Sequence, residues 1–267
     1  MARSFVSAPR SPAFVAVAAL LWLAPFPAPA SALEQGGAGV AVEIVDGDTL
    51  ILDNGTEVRL VGIQAPKLPL GRKGFKAWPL ADEAKEALAR LALGKRLALS
   101  YGGRRVDRHG RMLAHLHDPS GRWIQGELLG LGMARVYSFR DNRALVAEML
   151  ALERTARAAR RGIWGHPYYA VRPAGEAGRH VGTFQLVEGR VLRAETVRSR
   201  TYLNFGEDWR TDFTISISGR DRRLFRRAGF DLEALAGRTV RVRGWLKSWN
   251  GPMIEVTHPE QIELLTE

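Results

Sequence analysis

Gly39 to Leu60 reads GVAVEIVDGDTLILDNGTEVRL, and its pattern sets the fold. Apolar and polar residues alternate along it, which puts successive side chains on opposite faces of extended strands. Asp53-Asn54-Gly55 stands between two of the runs and marks a tight β-hairpin turn. Downstream, Leu80 to Leu93 (LADEAKEALARLAL) carries apolar residues at helical spacing and acids in its first turn, which predicts a helix. Arg96 to Tyr101 and Arg111 to His117 read as strands. Ile124 to Leu131 predicts a short helix closed by Gly132, and Asn142 to Arg161 a long one closed by Gly162. Ile163-Trp164 follows as a hydrophobic lock against the core. Strands first, a helix inserted among them and helices afterwards predict a small β-barrel flanked by three helices, mainly β in class.

Beyond this unit, Val171 to Gly182 (VRPAGEAGRHVG) is rich in Gly, Pro and Ala and reads as a linker. A second module follows. Leu186 to Val197, Arg200 to Phe205 and Asp212 to Ser218 read as strands, and Asp221 to Leu235 as helical. Thr239 to Ser248 alternates strictly, Asn250-Gly251 turns, and Met253 to Val256 pairs back. Three strands, a helix and two strands predict a second small OB-like barrel over 183–267. The two halves share no clear repeat in sequence.

The chain has 267 residues, room for about two small domains. Arg3 and Arg10, the apolar run Ala13 to Ala24 and the small residues Ala30-Ser31-Ala32 compose a secretory signal peptide over 1–32. That apolar run is shorter than the ~20 residues a bilayer span needs. No later segment is long and apolar enough to cross a membrane. The expected mature protein is therefore exported, periplasmic or secreted, with a barrel domain over 33–170, a linker over 171–182 and the second domain after it. With no cysteine, it excludes disulfides and relies on packed cores. The formal charge is +11, or +9 without Arg3 and Arg10. Residues 33–182 carry +7 of this and residues 183–267 only +2. Such a surface favours polyanions: nucleic acid, anionic lipid or lipopolysaccharide.

Three segments carry a more specific signal: Val45-Asp46-Gly47-Asp48-Thr49, Val58 to Lys67 (VRLVGIQAPK) and Val106-Asp107-Arg108-His109-Gly110-Arg111. Together they resemble the thermonuclease (staphylococcal nuclease-like) family, over about Val40 to Trp164. The resemblance implies an OB-type five-stranded barrel with three helices. It also implies Ca²⁺-assisted hydrolysis of phosphodiesters in DNA or RNA. That chemistry needs oxygen ligands for a hard cation, an acid to orient water, and cationic donors on the phosphate.

Carried over residue by residue, the resemblance makes Asp48 a metal ligand and Arg59 and Arg111 the phosphate clamps. Planar guanidinium forks suit phosphate. Gln64 stands where the family has a second metal-ligating Asp. Ala65 stands where a Thr offers its carbonyl, and Lys67 where a Glu positions the attacking water. His109 replaces the tyrosine beside the second arginine. The implied metal set, Asp48, Gln64 and the Ala65 carbonyl, has lost charge. Ca²⁺ binding should weaken by roughly several kcal/mol, and loss of base assistance should cost about 10²–10⁴-fold in rate. No Asp or Glu occurs between Glu57 and Asp82 to replace the missing acids. On the residues alone, Arg59 and Arg111 read as partners of Asp48, Asp107 or Asp46 on a solvated barrel face. Asp107 orders the loop that presents Arg111.

Other candidates are individually weaker. His109 as a metal-free base, with Lys67 stabilising the transition state, would favour RNA and its 2′-hydroxyl. His115 and His117 share one strand face with no third metal ligand in view. Gly71 to Trp78 (GRKGFKAW) is a basic aromatic loop. Arg72, Lys73, Lys76 and Trp78 there read either as nucleic-acid contacts or as a solvated loop with Phe75 and Trp78 tucked below. Tyr137 is a groove-lining candidate by resemblance. In the second module Phe213 and Trp245 read as core, Arg241 and Arg243 as sharing one strand face. Lys247 and Trp249, beside the Asn250-Gly251 turn, are the exposed candidates for nucleic acid. Three readings stay open: a polyanion-binding relative with weak or lost hydrolysis, a working exported nuclease with an altered metal or base, and an envelope protein whose second domain binds a protein partner.

Overall fold

The chain's alternation closes a barrel. In the computed structural model, which describes Met1 and residues 33–265, the first lobe holds strands β1 (Glu34–Asp46), β2 (Thr49–Leu52), β3 (Glu57–Leu60), β4 (Ile63–Gln64), β5 (Arg96–Tyr101), β6 (Met112–His117) and β7 (Arg135–Val136). Its helices are α1 (Ala81–Ala92), α2 (Ile124–Gly130) and α3 (Val146–Ala158). The stretch read as a signal peptide lies outside the described residues after Met1. Among those described, no helix is long and apolar enough to cross a membrane.

The barrel runs β1-β2-β3-β6-β5 and closes back on β1. All contacts are antiparallel except β3 with β6, which run parallel. β1 reaches both ends of the path because it bends at register shifts, pairing β5 through its first half and β2 through its second. Leu50, Val58, Leu60, Leu97 and Leu116 fill the interior, and α1 covers one end with Ala84, Ala87 and Leu88. The helix expected from Asn142 begins only at Val146. Asn142 is instead buried in the preceding turn, where its side-chain amide donates to Arg104 O (2.6 Å).

The second lobe holds β8 (Arg172–Pro173), β9 (Phe184–Arg190), β10 (Arg193–Val197), β11 (Arg200–Asn204), β12 (Thr214–Ile217), α4 (Gly219–Arg227), β13 (Thr239–Ser248), β14 (Pro252–Val256) and β15 (Ile262–Leu264). Its central path is β10-β11-β12-β14-β13-β9, and again only the third and fifth strands of the motif, β12 and β14, run parallel. β9 and β10 are successive pieces of one expected strand. The break at Val191-Leu192 turns Val191 onto Arg238 and Leu192 onto Asn204, so one run serves two neighbours. The helix expected over Asp221 to Leu235 is also shorter, since Gly229 (φ 68°) ends α4. The segment 171–182, expected as a linker, contains β8 and a 3₁₀ turn with Ala177 buried in the second core. Phe213 is buried as expected, but Trp245 is 44% exposed. Its indole N–H donates to Tyr137 of the first lobe (2.9 Å), which holds the ring outside the second core.

Charged groups cross between the lobes below the surface. Glu153 of α3 accepts from the Val136 N–H (2.6 Å), Arg157 (2.9 Å) and Arg243 of β13 (3.0 and 2.8 Å). Arg243 also reaches Glu263, as does Arg157 (3.1 Å). Arg241 and Arg243 alternate along β13 as expected, but Arg243 is fully buried. Burial alone would lower the Arg243 guanidinium's pKa, and the carboxylates of Glu153 and Glu263 raise it instead. Arg143 grips Glu260, Arg140 meets Asp221, and Ser138 bonds to His258 at 2.8 Å. Removing one member of the buried Arg243–Glu153 pair should cost about 3–5 kcal/mol.

Candidate active site groove

Asp46-Gly47-Asp48 makes the turn from β1 into β2. Asp46 Oδ1 accepts the Asp48 N–H (3.0 Å), which fixes the turn. Gly47 is required by closeness: a Cβ there would stand 2.7 Å from the Cβ atoms of both Ala65 and Ala84. The Asp48 side chain is thereby sunk completely beneath the groove. The Val61-Gly62 bend (Gly62 φ 82°) then brings the segment after β3 back across it.

The Asp48 carboxylate is saturated by the protein. Its Oδ2 accepts the Ala65 N–H (2.7 Å), Lys67 Nζ (2.8 Å) and an ion pair from Arg59 Nη2 (3.2 Å). Its Oδ1 accepts Lys67 Nζ at 2.7 Å and the Thr49 hydroxyl at 3.3 Å. Lys67 Nζ also meets Asp46 Oδ2 at 3.1 Å. One ammonium thus bridges two buried carboxylates. Burial would raise the Asp48 pKa, but Arg59 and Lys67 hold it well below the usual carboxylate range. Asp46 shifts the other way, raised by burial and by the charge of Asp48.

These donors do not fit Ca²⁺. Both Asp48 oxygens face cations already, Ala65 enters through its N–H, and Gln64 Oε1 accepts Arg135 Nε (3.0 Å) and Nη2 (2.7 Å). Gln64 faces Arg135 because the two stand directly opposite in the β4–β7 ladder. Among the described residues, no three His, Cys, Asp or Glu side chains converge on a metal position.

Arg59 lines the groove yet donates inward, to Leu60 O (2.5 Å) and Ile63 O (2.6 Å), and is only 9% exposed. Arg111 is gripped by Asp107 through Nε (2.8 Å) and Nη2 (2.7 Å). Asp107 Oδ1 meanwhile takes the N–H groups of His109 and Arg111, which orders this loop. Burial would raise Asp107, and Arg111 with these two N–H groups lowers it. The clamps therefore pair with Asp48 and Asp107, as their residue types alone suggested. Arg111 keeps partial exposure toward the groove, and His109 sits at the rim, accepting from Arg108 Nε at 3.0 Å.

The groove encloses about 530 Å³. Arg59, Lys67, Arg72, Arg104, Arg108 and Arg111 line it against Asp46, Asp107 and Asp141, an excess of cations. Tyr137 and Phe139 form an aromatic wall, with Phe139 49% exposed. Arg104, Arg108 and Phe139 were not picked out from the sequence, although the run of arginines 104, 105, 108 and 111 was a visible charge signal.

The basic loop divides. Lys73 and Lys76 are exposed, while Arg72 folds back onto Pro69 O (3.0 Å) and over the Phe75 ring (3.7 Å). Trp78 joins Tyr169 and Phe184 around the buried Arg135 guanidinium, at 4.6 to 5.9 Å from the ring centres. It is tucked in, as one reading of the loop expected. Burial pulls Arg135 down to about 10. In the second lobe Lys247 pairs with Glu255, whereas Trp249 stands 70% exposed. His115 is buried beside Trp123, and burial with the neighbouring His117 lowers it to about 4.

Residues 57–166 match the family described as Staphylococcal nuclease homologue. The chain is 33% identical over 146 residues to Protein ParB of Escherichia coli, covering 51% of this chain and 76% of that protein. It is 29% identical over 129 residues to an uncharacterized endonuclease of Escherichia coli O157:H7, covering 47% of this chain and 76% of that protein. A probable staphylococcal-like nuclease, CAN1, of Oryza sativa subsp. japonica is 33% identical over 107 residues, 40% of this chain and 28% of that protein.

Proposed function

The chain belongs to the staphylococcal nuclease homologue family, and from that premise we propose that it is an exported nucleic-acid-binding protein whose Ca²⁺-dependent hydrolysis is weak or lost. The observation that carries this is the Lys67 ammonium, 2.7 and 2.8 Å from the two Asp48 oxygens and 3.1 Å from Asp46. It supplies inside the protein the positive charge that a metal would bring. It offers neither an oxygen ligand nor, while protonated, a base for water. The surplus of arginines in the groove and the aromatic wall of Tyr137 and Phe139 support binding to a nucleic-acid strand through phosphates and stacked bases. Export rests on the composition of residues 1–32.

A nuclease assay tests this, with single-stranded DNA and RNA in Ca²⁺, Mn²⁺ or EDTA. The expected result is salt-sensitive binding with little cleavage under any of them. Gln64→Asp with Lys67→Glu should then gain Ca²⁺-dependent cleavage. Metal-dependent cleavage by the unmodified protein, abolished by Asp48→Ala, would overturn the proposal. The relatives named as endonuclease and staphylococcal-like nuclease favour a second reading, a working nuclease. It would use Asp48, Arg59 and Arg111 with an altered metal or base; the mark of an altered base is RNA cleavage that survives EDTA and disappears in His109→Ala, since His109 lies at the groove rim.

A further inference from the structure

The second lobe carries a concentration of positive charge that the groove does not explain. α4 reads GRDRRLFRR, with Arg220, Arg222, Arg223, Arg226 and Arg227 in nine residues. Among the described residues, none of these five has a carboxylate within ion-pair distance. The remaining charge of the helix, Asp221, is occupied by the N-cap Ser218 (2.6 Å) and by Arg140 of the first lobe (3.1 Å). Like charges crowded on one short helix repel each other, so the cluster destabilises the free protein unless an anion screens it.

The position of α4 ties it to the groove. Arg140 holds its first turn, and the neighbours of Arg140 in sequence, Phe139 and Asp141, line the groove. On the far side, Arg222, Arg223 and Arg226 border a cleft of about 390 Å³ with Phe225 and Phe230. The charged face is polar throughout: Phe225 turns into the core, so α4 has no apolar outer face to insert into a bilayer. Arg223 and Arg226 are exposed three residues apart, with Arg222 half-exposed one turn before Arg226, an arrangement that suits a row of phosphates.

We propose that α4 extends the nucleic-acid track of the first lobe, its Arg222, Arg223 and Arg226 gripping the backbone of the strand that leaves the groove past Phe139 and Arg140. This rests on the nucleic-acid reading of the groove and adds a second, sequence-independent contact area to it. The protein would then engage a long strand across both lobes and a short one in the groove alone.

The test compares a thymidine trinucleotide with an oligothymidylate of about 30 nucleotides, long enough for two OB-like lobes at roughly 4–16 nucleotides each. Both are titrated against the full protein over a series of salt concentrations. In R222A/R223A/R226A the long strand should bind roughly 10- to 100-fold more weakly at low salt. Its log–log salt slope should become shallower by about 2, given about 0.7 per phosphate contact on single strands. Trinucleotide binding should stay unchanged, and the triple lysine variant should recover most of the long-strand affinity. R104A/R108A should weaken both ligands. Unchanged long-strand affinity and slope in the triple alanine variant would overturn the α4 proposal and leave the groove reading standing. Phosphatidylglycerol vesicles captured through the same arginines, with oligonucleotide binding intact, would overturn it in favour of a membrane surface. If the unmodified protein binds neither oligonucleotide, the groove reading fails together with this one.

Discussion

The two lobes follow one strand path and bury charge in different places. In each, the first strand bends to pair with the second and fourth, and the third and fifth run parallel. In the first lobe the turn after strand one is Asp46-Gly47-Asp48, sunk beneath the groove and bridged by Lys67. At the same place in the second lobe stands Arg198-Ser199, an exposed hairpin turn between β10 and β11. The second lobe buries its charge on β13 instead, where Arg243 meets Glu153 of α3. A shared path thus fixes which loops lie together and leaves open which of them becomes a site.

The strongest way to break this contrast is at the seam. Glu153→Ala leaves Arg243 and the Val136 N–H short of a partner and should cost about 3–5 kcal/mol, read from urea unfolding. Acid attacks the same seam more gently. Burial holds the neutral His258 ring down to about 4, well under its unfolded value of 6.5. The folded state therefore binds fewer protons between those values. Stability should be full above about pH 6.5 and fall by on the order of 2–3 kcal/mol as pH approaches 4. His258→Gln should remove its part of that slope in melting curves taken across the range, while buried His115 contributes a separate part.

The charge bridge of the first lobe is the next test. Lys67→Ala leaves Asp46 and Asp48 facing each other and should cost about 2 kcal/mol. Added Ca²⁺ should raise the melting temperature of that variant and not that of the unmodified protein; equal shifts in both would show that Lys67 does not hold the cation place. The smallest effect belongs to Trp249→Ala, within about 0.5 kcal/mol of neutral in stability because the ring is mostly in solvent. Any loss of oligonucleotide binding in that variant would extend the contact area to the tip of the β13–β14 hairpin.

Period-two patterning and turn chemistry made the closed barrel and the strands of the second, curled sheet legible, although that sheet does not close into the expected barrel; the ends of β5 and β13 agree with the sequence to the residue. The misses have a common cause. The break at Val191-Leu192 and the late start of α3 answer to partners far along the chain, which local periodicity does not register. The same holds for the site. Asp48, Arg59 and Lys67 were identifiable from motifs, and the reversal of charge at Lys67 was visible as a chemical conflict. How that conflict resolves depends on an ammonium reaching back 19 and 21 residues to two carboxylates. Gln64 found Arg135 from 71 residues away, and Arg243 found Glu153 from 90, with no local signal for either. The α4 arginines were in plain view but sat in a module whose net charge of +2 masked them.

The Val136 N–H that Glu153 accepts lies one residue from Arg135 and one from Tyr137. The family match runs to residue 166, yet the groove wall hangs from a carboxylate neutralised by a residue of β13. A fragment cut after residue 170 would keep Glu153 and Arg157 while losing Arg243, Glu263 and the Phe184 ring that caps Arg135. The end of the family match is therefore not a point where the polypeptide can be cut without loss of these contacts. Limited proteolysis between the lobes should release no stable nuclease-like core, because the seam leaves the first lobe short of Arg243 and Glu263 once the second is gone.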